Sequence, residues 1–213
     1  MNALTEGSIK ERESVPASLK RFIWDIQSII ELAESEREIL VIGHDLMARL
    51  VARDDWLPAV FAAPGAIGGV QFQLYSDALE RFSVVATVLS AGQGLLIDQP
   101  LLWEIAGVLR GGVFLRTHDA SANPTAAPTD QGRVLRAGDV NTRRSRTSEA
   151  VALSNALPDQ ISICIHVYGG DVARLSRRIL TADACSEGLP FGYANDENAP
   201  AYDILSIQTK ILD

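Results

Sequence analysis

Cysteine, histidine and aromatic residues are all scarce here: the 213-residue chain has two cysteines, three histidines and 6% aromatic residues. Cys164 and Cys185 are too few and too far apart for a disulfide framework or a zinc cluster, and read as small buried hydrophobes. No apolar run reaches the roughly 18 to 20 residues that a membrane-spanning helix needs. The opening stretch MNALTEGSIKERES is polar and lacks the apolar centre of a signal peptide, so a cytoplasmic location is expected and a membrane partner is not. Positive charge is also short. A formal net charge of −8 gives the surface no general attraction for nucleic-acid phosphates or anionic lipid. Of the histidines, His44 falls in a helical section and His118 stands beside Asp119 at a loop, both reading as surface or capping residues.

What is present is ordinary for one globular domain, with 47% hydrophobic and 22% charged residues. From Ala17 to Ala52, Leu19, Phe22, Ile23, Ile26, Ile29 and Ile30, then Ile39, Leu40, Ile42, Leu46 and Leu50 recur at three- and four-residue steps. That period predicts two helices with one buried face each, broken at Ser35 to Arg37. Pro58 and Pro64 end the helical section. After Gly65 the grammar becomes that of strands: GGVQFQLYSD, RFSVVATVLSAGQG, LLWEIAGVLRGGVFLRTH hinged at Gly111 and Gly112, QGRVLRAGDV and ISICIHVYGGDV. DASANPTAAPTDQG reads as a solvated loop, and the basic run NTRRSRTSE as an exposed loop. The expected division is a polar tail over 1–16, helices over 17–64 and a β-barrel over 65–213, folding as one domain.

The stretch GLLIDQPLLWEIAGVLRGG has the outline of a metal-binding hairpin. Its spacing resembles the first motif of the cupin barrel. There, two histidines one residue apart are followed by a glutamate, six residues and a glycine, and a later strand adds a histidine three residues before an asparagine. Imidazoles alternating along one strand face point into the barrel together and leave positions on the metal open for substrate and oxygen. In this chain Gly94, Asp98, Pro100, Glu104 and Gly111 keep the frame, AGDV at Ala137 to Val140 resembles the turn opening the second motif, and Val151 precedes Asn155 at the right distance.

A closer resemblance runs through nearly the whole chain. DDWLP, QFQLYSDALERFSVVA, GQG, W-x-x-x-GVLRG, LSNALPD, IHVYGGDV and GYAN, in this order and spacing, are similar to the bacterial thiol dioxygenases, the cysteine and mercaptopropionate dioxygenase family. The resemblance implies a mainly β cupin fold with N-terminal helices, and in the family a ferrous iron held by three histidines that supports oxidation of a thiol to a sulfinate. This chain has Asp98, Pro100 and Val151 at those three places, and neither proline nor valine offers a side-chain donor, so no iron is expected. The family's Ser-x-His-x-Tyr triad corresponds to Cys164, His166 and Tyr168, which alternation places on one strand face. The resemblance further implies a substrate-side Gln71 and a carboxylate-gripping Arg177, with Arg174 and Arg178 as near alternatives; Trp103, Glu104 and Tyr193 are further candidates for the substrate-binding set.

Three functional readings follow. The barrel binds a small ligand, a thiol or a carboxylic acid, or a protein partner or second copy, without catalysis. Alternatively it is a metal-free enzyme in which His166 and Tyr168 move a proton in an isomerisation, elimination or cyclisation. The third reading is a rebuilt metal site of Asp98, Glu104 and His166, Glu104 standing where the thiol dioxygenases usually have glycine. Glu104 also has a plainer reading, a buried carboxylate paired with an arginine inside the barrel, and Asp98 a plainer one as a cap on the hairpin end. Cys164 is a nucleophile if His166 lowers its pKa and an inert thiol if the barrel around it is apolar.

Overall fold

The computed structural model describes residues 14–65, 69–97, 102–119, 131–145, 149–172, 178–180 and 192–208. Helices α1 (Ala17–Leu32) and α2 (Glu36–Val51) form as the periodicity predicts. Leu19, Phe22, Ile23 and Ile26 make the buried face of α1, and Leu40, Leu46, Met47, Leu50 and Val51 that of α2. The break falls at Ala33 to Ser35, slightly earlier than the sequence suggests. Ser35 is the N-cap of α2: its hydroxyl accepts from the Glu38 amide, while the Glu38 carboxylate accepts from the Glu34 amide. Glu36 and Arg37 are therefore helical, with Glu36 and Glu38 at the positive end of the helix dipole. Between the two prolines, Ala59–Ala62 makes a short 3-10 turn that presents Phe61 to Phe72 and Tyr202.

Among the described residues ten strands follow: β1 (Val70–Ser76), β2 (Ser83–Leu89), β3 (Gly94–Ile97), β4 (Glu104–Arg110), β5 (Gly112–Asp119), β6 (Arg133–Arg136), β7 (Val140–Arg143), β8 (Glu149–Asn155), β9 (Ser162–Tyr168) and β10 (Arg178–Leu180). A five-residue helix α3 (Ile204–Gln208) comes last. One antiparallel sheet has the order β1-β2-β9-β4-β7, the other β10-β3-β8-β5-β6. Strands β2 to β9 thus wind between two facing sheets in the double-stranded β-helix arrangement of a cupin barrel, and β1 and β10 extend one edge of each sheet.

Every residue of β2 and β9 is buried, because one face of their sheet meets the helices and the other lines the barrel. Ile163, Ile165 and Val167 join the helix-side core, while Cys164 belongs to an apolar cluster between the sheets with Leu89, Leu95, Val108, Val113, Leu115, Val151 and Leu153. Gly107 lets α2 rest directly on β4, since a Cβ there would lie 2.7 Å from Met47 Cγ. Gly111 closes the β4–β5 hairpin at φ +74°, a conformation that glycine adopts without strain.

Two stretches differ from their sequence reading. QGRVLRAGDV is not one strand: β6 and β7 are separated by a turn carrying Gly138 at φ +94°. The basic run NTRRSRTSE does not begin as an exposed loop. Its first residues complete β7, and alternation turns Thr142 outward and Arg143 into the barrel, where it is buried.

Candidate functional site

The barrel interior is built in layers by strand register. Gln71, Thr87, Cys164 and Val108 occupy one level across β1, β2, β9 and β4, and Val85, His166 and Ala106 the next. Ser83, Tyr168, Glu104 and Arg143 form the level beyond, at the end where β4 begins. Charge is concentrated in these last two levels. Glu104, Arg143 and His166 keep only 4%, 8% and 2% of their surface exposed.

Glu104 organises the cluster. Its Oε1 accepts a hydrogen bond from His166 Nδ1 at 2.8 Å, and its Oε2 lies 3.1 Å from Arg143 Nη2. Tyr168 beside it also favours the ionised carboxylate. Burial pushes the carboxyl up, but Arg143, His166 and Tyr168 together outweigh it and hold Glu104 down at about 2. The ring of His166 stacks on that of Tyr168, with centroids 5.5 Å apart and planes 3° from parallel. The histidine is thus oriented by a carboxylate on β4 and packed, rather than hydrogen-bonded, against its strand neighbour.

Several polar atoms in this cluster lack an aligned partner among the described residues. Arg143 is near enough to Glu104 for an ion pair, yet none of its N–H groups is aligned with an acceptor among the described residues, and His166 Nε2 has no partner there. Gln71 donates to Thr87 Oγ1 at 2.7 Å and leaves its own Oε1 without a partner among the described residues. Burial pushes the Cys164 thiol up to about 12, and the Glu104 charge adds to the shift, so it is a thiol at neutral pH.

The residues singled out from the sequence separate into three sets. Glu104, Cys164, His166 and Tyr168 come together, with Gln71 one level from His166. Tyr193 is half-buried against the Val85, Tyr168 and Val172 cluster, and its hydroxyl donates to Asp171 at 3.4 Å. Trp103 packs instead with the helix-side core. Asp98, Pro100, Arg174, Arg177 and Cys185 lie outside the described residues, as do the side chains of His118 and Arg178. Arg143 is the residue that sequence reasoning missed. Its only signal was the alternation Val140, Thr142 against Asn141, Arg143 after a glycine turn, masked by the neighbouring arginines. His44 is exposed on α2 beside Asp45. It lines an open groove of about 400 Å³ with Arg37, Leu40, Thr142 and Arg144, on the outer side of β7 and away from the interior cluster.

The iron of the cupin motif does not fit these residues. Val151 pairs with Ile97 at the end of β3, so the strands do bring the third ligand position to the hairpin, but its side chain is packed into the apolar cluster. Glu104 Oε1 already accepts from His166, and Oε2 faces the Arg143 guanidinium in an ion pair. Among the described residues no group of three His, Cys, Asp or Glu side chains is placed to hold a metal ion.

No family model matches the chain. Solved structures similar to it are double-stranded β-helix proteins. One is a Klebsiella pneumoniae protein with a double-stranded β-helix domain, at 14% identity over 53% of this chain and 80% of that one, TM-score 0.42. Another is the cupin domain of an XRE family transcriptional regulator from Enterobacter cloacae, at 13% identity over 49% and 98%, TM-score 0.38. A third is a putative mannose-6-phosphate isomerase from Ralstonia eutropha, at 17% identity over 52% and 92%, TM-score 0.38. The fold assignment rests on the strand order itself. Among the described residues no helix is long and apolar enough to cross a membrane.

Proposed function

We propose that this chain is a divergent relative of the thiol dioxygenases whose barrel binds a small carboxylate-bearing molecule and has left iron-dependent oxygenation. The observation that carries the reading is the buried guanidinium of Arg143, whose N–H groups have no aligned acceptor among the described residues. A buried donor without a partner is costly, and a guanidinium is matched in shape and charge by a carboxylate, which accepts two parallel N–H bonds. Arg143 takes over in this reading the role that the resemblance gives to Arg177. The departure from oxygenation is supported by Val151, whose side chain cannot ligate and is locked in apolar packing.

Two measurements on the purified protein test this. Elemental analysis after incubation with ferrous iron, zinc, manganese and nickel should find no stoichiometric metal. Near-stoichiometric metal that disappears in the Asp98→Ala/Glu104→Ala variant would overturn the reading in favour of a rebuilt metal centre. NMR titration with 3-mercaptopropionate and 3-hydroxypropionate should give saturable shifts at interior methyls, Val85 and Val151 among them, that are lost in Arg143→Gln. Shifts that are absent, or that survive that substitution, would remove the carboxylate pocket.

A further inference from the structure

We propose that Glu104 and His166 form a proton-transfer dyad, with His166 Nε2 as the base, acting on a 2-oxo carboxylic acid that carries an acidic hydrogen on the carbon beside its ketone. The inference rests on the carboxylate-binding reading above and adds a reaction to it. Its geometric basis is the 2.8 Å contact between His166 Nδ1 and Glu104 Oε1. An ionised carboxylate only accepts, so Nδ1 carries the proton. In the neutral ring the lone pair is then on Nε2, the atom that is buried and without a partner among the described residues. Stacking on Tyr168 fixes the plane of the ring, and therefore the line along which Nε2 meets a ligand.

Around the ring, Glu104 from β4 and Arg143 from β7 form an ion pair, while Tyr168 and Cys164, which burial keeps as a thiol, lie on β9. When Nε2 takes a proton, the imidazolium is paired with Glu104, and a ligand carboxylate on Arg143 restores the balance. A carboxylate orienting an imidazole in this way sets its tautomer and steadies the cation that forms on proton capture.

The step conserves atoms and electrons. With a 2-oxo acid, the C–H bond beside the carbonyl breaks and its proton goes to Nε2. The electron pair becomes a carbon–carbon double bond as the carbonyl pair moves onto oxygen. Return of a proton from Nε2 regenerates the acid, and in heavy water the returning nucleus is a deuteron. Nothing is oxidised or reduced.

The test uses pyruvate as probe and the full chain. Two-bond nitrogen–proton NMR of the ¹⁵N-labelled protein should show His166 with an unprotonated Nε2, and Glu104→Gln should shift it toward the Nε2–H tautomer. Methyl-proton loss from pyruvate in heavy water should be about 10²-fold faster with the native chain than with His166→Asn, the low end of what a positioned base supplies. A protonated Nε2 in the native protein would overturn the dyad even if every variant misfolded. Pyruvate that binds, by saturation transfer lost in Arg143→Gln, yet exchanges no faster than with His166→Asn, would overturn the reaction and leave the carboxylate pocket standing. Failure of pyruvate and of both three-carbon acids to bind would remove pocket and reaction together.

Discussion

Glu104 and Arg143 are direct partners in the β4–β7 ladder, and their side chains meet inside the barrel at 3.1 Å. Both are taken out of water, so each depends on the other to offset its lost hydration. Arg143→Met or Glu104→Leu alone should lower stability by about 3–5 kcal/mol, because each strands a buried charge. The double variant should lose much less than the sum. Urea unfolding of the four proteins closes the cycle, and strictly additive losses would show that the two groups are not coupled.

The same carboxylate sets an acid limit. Its folded-state value is held at about 2 against an ordinary value of 4.5. Folding therefore favours the ionised form, so the contribution is complete above the unfolded value and is lost as pH falls from about 4.5 toward 2. Glu104→Gln should be less stable than the native chain near neutral pH. The gap should narrow by on the order of 2–3 kcal/mol on acidification through that window. Parallel denaturation curves at stepped pH measure it, and a gap that stays constant with pH would mean that Glu104 is not the titrating group.

How much of this was readable beforehand depends on which face of a strand a residue occupies. The helices were legible because one-sided burial gives a helical period, and β1, β2, β5 and β9 because their β-branched and aromatic content is dense. Strand β3 is only four residues long and β7 is largely polar, so neither announces itself locally. The pairing of Glu104 with an arginine followed from the cost of burying a carboxylate. The identity of Arg143 did not, because it is fixed by the long-range β4–β7 register, which single-sequence spacing does not contain. Likewise the alternation of Cys164, His166 and Tyr168 gave their common face, whereas the partner that orients His166 comes from another strand.

Cys164 offers a chemical check on the apolar half of the barrel. With the thiol pushed up to about 12, first by burial and then by the Glu104 charge, very little thiolate exists at pH 8. In a Cys185→Ser background, iodoacetamide should label native Cys164 at least about 10²-fold more slowly than the unfolded chain, the unfolded thiol having an ordinary pKa near 8.5. Native labelling at the unfolded rate would mean that the interior is open and that His166 activates the thiol.

Val151 tests whether the lost ligand position has closed. It sits 5% exposed among Leu95, Val108, Leu115, Leu153 and Cys164, on the strand where the cupin motif places its last histidine. A histidine restored there would be larger than the space and would bury ring nitrogens among methyl groups. Val151→His should therefore cost about 2–4 kcal/mol. Val151→Thr, nearly the same shape, isolates the polar part and should cost about 1–3 kcal/mol. Thermal or urea unfolding of both variants measures the two terms. If Val151→His were as stable as the native chain, the position would still open onto a polar cavity, and the barrel would retain room for the metal that its present residues exclude.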